Sequence, residues 1–185
     1  YKRQLAVLAS LHQAGVDVSL VKPHFVTFTG MGRRFQKVGS FDGISVYDDY
    51  AHHPTEIKAT LSAAANFKDK NIVAVFQPHR YSRLKNLWDE FLSAFNNVGR
   101  VVVTDVYAAS EDAVEGINSE NFVHDLSEKI SVPCEYIPGD MKQVAKVLFP
   151  TLKSGDVVIG LGAGTINQLG KEVMKLSEEV ADVVR

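Results

Sequence analysis

The stretch that decides the fold reads Tyr47-Asp48-Asp49-Tyr50-Ala51-His52-His53-Pro54-Thr55-Glu56-Ile57 and joins a strand to a helix. Before it, residues 44–47 alternate between apolar and polar side chains, as a short strand does. Pro54 suits the first helical position, where its missing N–H costs nothing, and Glu56 falls in the first turn, where the helix dipole favours an anion. Further apolar residues follow at helical spacing, namely Ile57, Leu61, Ala64 and Ala65. The polar cluster is therefore predicted between a strand and a helix, where open α/β sheets bind ligands.

The rest of the chain alternates strands with helices. Strands are predicted at residues 33–41, 71–76, 100–104, 134–137 and 156–161, and helices at 83–95, 119–130, 141–149 and 166–184. Asp42-Gly43 predicts a hairpin into the strand that starts at Ile44. Strands separated by helices pair in parallel, with helices on both faces of the sheet. The predicted fold class is α/β, a doubly wound, mostly parallel, Rossmann-like sheet with an N-terminal β-hairpin.

Composition excludes several classes of function. The formal net charge of −2 gives no basic balance for nucleic acid. Cys134 is the only cysteine, which excludes an intrachain disulfide framework and a Cys-rich zinc site. No apolar run approaches the roughly 20 residues of a membrane helix. We predict a cytoplasmic protein that binds neither nucleic acid nor a membrane.

The first residues are predicted to belong to another domain. The chain begins with Tyr1 rather than Met, which favours a piece of a longer protein. Residues 2–14 carry apolar side chains at helical intervals, and Gly15 ends that helix. A connector with a short turn of helix near Leu20 follows, and Gly30-Met31-Gly32 breaks the pattern. We assign residues 1–27 to the tail of a preceding domain with its connector, and residues 28–185 to a second domain.

Polar residues follow four of the predicted parallel strands. They are Asp48-Asp49 with His52-His53, then Gln77-Pro78-His79-Arg80 with Arg83, then Asp105, and finally the glycine loop Gly160-Leu161-Gly162-Ala163-Gly164. The carboxyl ends of parallel strands lie along one edge of a sheet, so four loops distant in sequence are predicted to meet in one cleft.

These residue types leave alternatives open. Arg80 and Arg83 can hold one carboxylate or phosphate, or bond nearby acids at the surface. Asp49 can accept hydrogen bonds from a ribose diol or from backbone amides of its turn. His52 and His53 lack a third ligand at metal spacing, so no metal site is predicted. One imidazole is expected to contact a substrate and the other to start the helix or bond within the core.

The glycine loop matches no phosphate-binding motif. Its spacing departs from a dinucleotide fingerprint. A Walker loop also fails, because five residues separate Gly164 from Gly170-Lys171 and Glu172 replaces the required Ser or Thr. The glycines are instead predicted to allow close approach of the backbone to a ligand or helix.

Longer motifs carry a family resemblance. They are Asp48-Asp49-Tyr50-Ala51-His52-His53-Pro54-Thr55-Glu56-Ile57, Phe76-Gln77-Pro78-His79-Arg80-Tyr81-Ser82-Arg83, Thr104-Asp105-Val106-Tyr107-Ala108-Ala109 and Gly162-Ala163-Gly164. In this order they resemble the C-terminal domain of the Mur ligases, in the branch that joins L-alanine to UDP-N-acetylmuramate. Gly32-Arg33-Arg34-Phe35-Gln36 also fits, and the helix of residues 2–14 fits the tail of the central domain. Ser110 departs from the family, which often has Gly there, and Thr165 occupies a variable position.

The resemblance implies a three-domain cytoplasmic enzyme of bacterial peptidoglycan synthesis. In this family, ATP phosphorylates the lactyl carboxylate of UDP-N-acetylmuramate, and the amine of L-alanine attacks the acyl phosphate. By matching positions, Arg34 reaches ATP phosphates and Asp49 the ATP ribose. The residues implied to hold substrate are Tyr50, His52, Arg80 and Arg83, of which the last three are also implied to be catalytic. The Walker loop and the Mg²⁺ ligands belong to the central domain, so this fragment alone is expected to be inactive.

Three other functions compete with this one. A murein tripeptide ligase of cell-wall recycling has similar motifs, and the acceptor, L-alanine or peptide, is left open. Folate polyglutamate ligases share the architecture, although Tyr50-Ala51-His52-His53-Pro54 favours the muramyl branch. A non-catalytic, Rossmann-like nucleotide-binding module would not need Arg80 and Arg83 to act on a second, carboxylate substrate.

Overall fold

The computed structural model describes residues 2–27 and 32–183. The chain divides into two compact units, residues 1–31 and 32–185. The first unit contains helices α1 (Lys2–Gln13) and α2 (Val18–Thr27). Gly15, with φ of 76°, follows α1 as predicted, whereas α2 is longer than the predicted turn and contains Pro23. The predicted boundary near residue 28 and the break at Gly30-Met31 lie outside the described residues.

Apolar side chains of the first unit are exposed. The exposed fraction is 62% for Leu5 and 68% for Leu20, on α1 and α2 respectively. The apolar spacing of α1 therefore does not produce a buried face within the described residues. The assignment of this unit to a preceding domain stays a prediction.

The second unit is a six-stranded sheet with helices on both faces. Its elements are β1 (Gln36–Phe41), β2 (Ile44–Asp49), α3 (Pro54–Ala64), β3 (Asn71–Phe76), α4 (Tyr81–Asn86), α5 (Trp88–Leu92), β4 (Arg100–Val103), α6 (Ser119–Lys129), β5 (Cys134–Tyr136), α7 (Met141–Leu148), β6 (Asp156–Leu161) and α8 (Leu169–Val183). Short 3-10 turns lie at Phe149–Thr151 and Thr165–Gln168.

The strand order is β1-β2-β6-β3-β4-β5, and only the β1–β2 pair is antiparallel. The predicted fold class is thus confirmed, including the hairpin, whose turn residues Asp42 and Gly43 have φ of 45° and 79°. Strand β6 lies between β2 and β3. In the register of this sheet, Leu161 pairs with both Asp49 and Phe76, so the loops after β2, β3 and β6 leave the sheet side by side.

Alternate residues of the central strands enter two separate cores. Ala74 and Phe76 of β3 pack on the face covered by α3 to α6, and Val73 and Val75 pack on the face covered by α7 and α8. Burial on both faces explains why β3 reads as an unbroken apolar run rather than an alternating one.

Two predicted elements differ in the structure. The strand predicted from Arg33 begins only at Gln36, because Arg33 and Phe35 have φ of 58° and 50°, which no strand residue adopts. The single helix predicted over residues 83–95 is two short helices that start at Tyr81 and break at Leu87. Beside this break, the Trp88 indole N–H donates to Asp125 Oδ2 of α6 at 3.0 Å.

Candidate functional site

A row of aromatic rings connects three loops at the carboxyl edge of the sheet. The Tyr50 and His52 ring centroids are 5.0 Å apart, those of His52 and His79 are 5.9 Å apart, and those of His79 and Tyr107 are 5.3 Å apart. Tyr50 and His52 follow β2, His79 follows β3, and Tyr107 follows β4. The backbone pairs in the same place, because Tyr107 N donates to Pro78 O at 2.8 Å.

The glycine loop after β6 is the fourth loop of this cleft. A Cβ atom on Gly164 would lie 2.6 Å from Tyr107 Cγ and 2.5 Å from Gln77 Oε1. Gln77 is buried, and its side chain accepts from Ile166 N at 3.0 Å and donates to Thr165 Oγ1 at 3.0 Å. The predicted convergence of four loops is therefore confirmed. The predicted close approach of the glycine backbone is, in the structure, to the Gln77 backbone at Gly162 and to the Gln77 and Tyr107 side chains at Gly164.

Asp49 supports the turn that carries the aromatic residues. Its Oδ2 accepts from Phe35 N at 2.6 Å and its Oδ1 from Ala51 N at 2.8 Å. Of the two alternatives for Asp49, the structure shows the backbone-amide bonds. Each carboxylate oxygen retains a second lone pair, so these bonds leave the ribose assignment open.

Asp48 is a buried carboxylate held by one arginine. Arg33 Nε lies 3.0 Å from Asp48 Oδ2, and an Arg33 terminal nitrogen donates to Gly162 O at 2.7 Å. Burial raises the pKa of Asp48, while Arg33 opposes that rise. Asp48 Oδ1 is buried without a hydrogen-bond partner among the described residues. Arg33 therefore joins β2 to the glycine loop, a role that the predicted strand at this position did not anticipate.

The two adjacent histidines have different roles. His53 is the N-cap of α3, and its Nδ1 accepts from Thr55 N at 3.4 Å, which is the predicted helix-start role. His52 Nδ1 lies 2.9 Å from Tyr50 O. A carbonyl oxygen only accepts, so Nδ1 carries the proton in this contact and Nε2 is the acceptor of the neutral ring.

Arg83 is anchored on His79. One terminal nitrogen of Arg83 lies 3.0 Å from His79 Nδ1 and 3.1 Å from His79 O. Since a guanidinium only donates, His79 Nδ1 accepts and the ring is neutral. Burial lowers the pKa of His79, and the nearby Arg83, His52 and Arg80 lower it further. An anchored guanidinium thus lies beside an imidazole that stays uncharged.

Arg80 is held by its backbone and by an acid. It has φ of 73°, and its N–H donates to Tyr107 O at 2.8 Å. The Arg80 guanidinium lies 3.5 Å from Glu111 Oε1 and its side chain is 49% exposed. The predicted alternative of a nearby acid is therefore present for Arg80. A guanidinium carries five N–H donors, so one ion pair leaves donors for a ligand.

Arg34 has its guanidinium near both Glu56 and the Tyr50 ring. Its guanidinium lies 3.9 Å from Glu56 Oε1 and 5.7 Å from the centre of the Tyr50 ring, while that of Arg33 lies 5.0 Å from the same centre. The Arg34 side chain is 38% exposed. Arg34 therefore lies at the Tyr50 end of the aromatic row.

Two acids of the cleft have structural partners that the sequence did not predict. Asp105 accepts from the Tyr136 hydroxyl and from Gly139 N, the latter at 2.8 Å, so it braces the loop after β5. Burial and the Asp105 carboxylate raise the pKa of Tyr136 to about 12. Glu111, which contacts Arg80, was not anticipated, because an acid in a loop carries no sequence signal for a partner on another loop.

The described ranges, 2–27 and 32–183, contain neither a metal-binding cluster nor a membrane-spanning helix. No three His, Cys, Asp or Glu side chains there lie close enough together to hold a metal ion. No helix there has the length and apolar character to cross a membrane.

Comparisons with known proteins agree on one family. The model of the Mur ligase, glutamate ligase domain matches residues 33–164. The chain is 43% identical over 171 residues to the UDP-N-acetylmuramate–L-alanine ligase of Caldicellulosiruptor bescii. The matched region covers 92% of this chain and 37% of that protein. The chain thus spans well under half of such a curated relative.

Solved structures show the same likeness. The UDP-N-acetylmuramate-alanine ligase of Thermotoga maritima superimposes with a TM-score of 0.75 at 27% identity, over 95% of this chain and 37% of that one. A MurF ligase of the same organism, solved in complex with ADP, gives a TM-score of 0.61 at 21% identity, over 94% of this chain and 37% of that one. At 21% identity the second likeness shows the fold alone.

Proposed function

This chain belongs to the Mur ligase family, and on that premise we propose that it is the C-terminal domain, with the tail of the central domain, of an ATP-dependent ligase. The proposed reaction joins L-alanine to the lactyl carboxylate of UDP-N-acetylmuramate in bacterial peptidoglycan synthesis. The acceptor is proposed from the L-alanine ligases at about 40% identity, such as the one from Caldicellulosiruptor bescii. A cytoplasmic location is part of the same proposal.

The observation that carries the proposal is the pair of arginines beside a neutral histidine at the sheet edge. Arg80 and Arg83 each have one side fixed, by Glu111 and by His79 respectively. Their remaining N–H donors suit the carboxylate of an amino acid, which guanidinium groups bind with paired hydrogen bonds. When the carboxylate of the amino acid is held, its amine, two bonds away, is held as well. Positioning a nucleophile in this way can remove a large part of the activation barrier of ligation.

His52 is proposed to take a proton from the amine. An ammonium group has no lone pair, so it must lose a proton before it attacks an acyl phosphate. Because Tyr50 O holds Nδ1–H, His52 presents Nε2 as the basic atom. Imidazole is the side chain best suited to this transfer near neutral pH. The attack forms the amide C–N bond and breaks the acyl C–O bond to phosphate, and the departing phosphate takes the second proton that the nitrogen loses.

The nucleotide is proposed to lie on the Arg34 side of Tyr50. Arg34 is partly exposed and carries a charge suited to ATP phosphates, and Asp49 is proposed to bond the ribose through its free lone pairs. Mg²⁺ is proposed to be held by residues outside this chain, where it would neutralise phosphate charge.

The test is ADP release by the full-length parent with ATP, UDP-N-acetylmuramate and either L-alanine or the murein tripeptide. Turnover with L-alanine is expected. Arg80→Ala should lower kcat/KM for L-alanine by about 10- to 150-fold, the equivalent of a charge-assisted hydrogen bond of about 1.5–3 kcal/mol. Lys58→Ala, on the exposed face of α3, is the control and should stay near wild type.

Each other outcome selects an alternative. Turnover with the tripeptide alone would assign the chain to cell-wall recycling and keep the arginine site. A folded parent that binds ATP but releases no ADP with either acceptor would contradict the ligase and leave the nucleotide-binding module.

A further inference from the structure

Glu111 connects two loops of the cleft. It lies in the loop after β4, and its side chain is 23% exposed. Its Oε2 accepts from Ser82 N at 2.9 Å and its Oε1 from Ser82 Oγ at 2.6 Å. Ser82 is in the first turn of α4, whose N-cap residue, Arg80, makes no side-chain capping bond. Glu111 therefore supplies from another loop the acceptor that this helix start needs.

The same carboxylate also fixes the Arg80 side chain. Glu111 Oε1 lies 3.5 Å from a terminal nitrogen of Arg80. Arg83 and Arg80 both carry positive charge near His79, and the two guanidinium groups repel each other in the absence of a counter-charge. A negative group behind Arg80 offsets that repulsion and restricts a long, half-exposed side chain to one region.

We propose that Glu111 is a positioning residue that prepares Arg80 to receive the carboxylate of the acceptor amino acid. This inference rests on the proposed function, because it takes Arg80 to be the group that binds that carboxylate. Glu111 touches no substrate itself and acts through Arg80. The benefit is preorganisation, since a side chain ordered before binding loses less entropy when the ligand arrives.

A purely structural role for Glu111 makes a different prediction. If Glu111 only caps α4, its loss destabilises the domain, and Ser82→Ala, which removes one of its bonds, gives a milder form of the same defect. Partial unfolding lowers the amount of active enzyme and so the apparent kcat, but it leaves the KM of each correctly folded molecule unchanged. The KM for the acceptor therefore separates positioning from capping.

The experiment measures steady-state kinetics of the full-length protein with E111Q, R80A and the double variant. E111Q keeps the size of the side chain and removes its charge. We expect it to raise the KM for L-alanine by about 3- to 10-fold, the range of a coupled charged pair, with the KM for ATP within about twofold of wild type. In the R80A background, E111Q should change the KM for L-alanine by less than about twofold, because Arg80 is the group through which Glu111 acts.

Glu115 provides the matched control. It lies in the same loop, is exposed, and E115Q makes the same change of charge. A rise in the KM for L-alanine with E115Q equal to that with E111Q would overturn the proposal, because it would show a general charge effect. An equal rise from E111Q with and without Arg80 would also overturn it. If E111Q does not fold, E111D, which keeps the charge, should hold the KM for L-alanine within about threefold of wild type. An increase in that KM as large as the one caused by R80A would contradict the proposal.

Failure of the proposed function gives a distinct result. A wild-type parent without alanine-dependent ADP release would overturn both proposals. Normal wild-type turnover with an unchanged KM in E111Q would overturn only the role of Glu111.

Discussion

At the scale of single residues, the pairing of Arg33 with Asp48 has the largest expected effect on stability. Asp48 is buried, its Oδ1 has no partner among the described residues, and Arg33 Nε is the cation at 3.0 Å from Oδ2. We expect Arg33→Met to lower the free energy of unfolding at pH 7 by about 3 kcal/mol, because it leaves a buried carboxylate unpaired. Urea denaturation of the chain measures this change.

The pH dependence of this variant follows from the pKa of Asp48. Burial already raises that pKa above the ordinary value of 3.8, and removal of Arg33 raises it further. The cost of holding this carboxylate in the folded state is absent below pH 3.8, builds up as pH rises from 3.8 towards the folded-state pKa, and is complete above that pKa. The deficit of Arg33→Met should shrink as pH falls from 7 towards 4. Arg33→Met/Asp48→Asn should recover much of the stability at pH 7, and a deficit independent of pH would contradict this account.

The backbone conformation of Ser110 is visible only in the structure. The family resemblance marks it as a departure from Gly, and the structure gives it φ of 68°, a left-handed conformation that glycine adopts without strain. Ala109 before it has φ of 50°. This turn brings Glu111 to Ser82. The glycine preference is thus a backbone requirement of the loop that positions Glu111.

At the scale of elements, the glycine loop is fixed by its neighbours rather than by its own residues. Gly164→Ala should lower the free energy of unfolding by about 1–3 kcal/mol, because the new Cβ would lie 2.6 Å from Tyr107 Cγ and 2.9 Å from Tyr107 Cβ. These atoms are near the Tyr107 backbone, so the loop after β4 must move with them.

The matched control for this substitution is Gly32→Ala, whose Cβ would meet its nearest atom, Gln36 Oε1, at an ordinary 3.6 Å. Thermal unfolding of both variants of the chain tests the difference. A Gly164→Ala variant as stable as Gly32→Ala would show that the loops after β4 and β6 separate at no cost.

The elements that the sequence predicts are those with local signals. Asp42-Gly43 favours the positive φ values of its turn, and Pro54 with a preceding His53 marks the start of α3. Arg33 and Phe35 carry no such signal, because their positive φ values follow from distant contacts such as Tyr50 N to Arg33 O at 2.8 Å and Phe35 N to Asp49. The start of β1 could therefore not be predicted.

The same reasoning applies to the site. The polar loops after β2, β3 and β6 are predictable, since strand ends in a parallel sheet share one edge. The partner of Arg80 is 31 positions away along the chain, in a loop with no periodic pattern, and Asp105 bonds Tyr136 on the next strand. Such partners depend on tertiary structure, so the sequence predicts which loops meet but not which side chains pair.

At the scale of the whole molecule, the described residues of the second unit form one cleft, which we propose to be one side of the catalytic site. They bring together Arg80, Arg83 and His52, but no cluster of acids for a metal ion exists among them. The glycine loop packs closely against Gln77 and Tyr107, and the amide of Ile166 after it donates to Gln77. Residues 32–183 nevertheless contain two continuous apolar cores, which favours independent folding.

We therefore expect the 185-residue chain to unfold cooperatively but to release no ADP from ATP with UDP-N-acetylmuramate and L-alanine. The full-length parent at the same molar concentration should turn over, because formation of an acyl phosphate needs several groups that bind and polarise the ATP phosphates, and among the described residues we propose Arg34 for that task. A coupled ADP assay on both proteins is the measurement, with circular dichroism melting curves to show that the chain is folded. The R80A parent is the control for contaminating ATPase activity, since such activity would survive that substitution. Alanine-dependent ADP release by the folded chain alone would contradict the prediction and place the phosphate-binding groups within these residues.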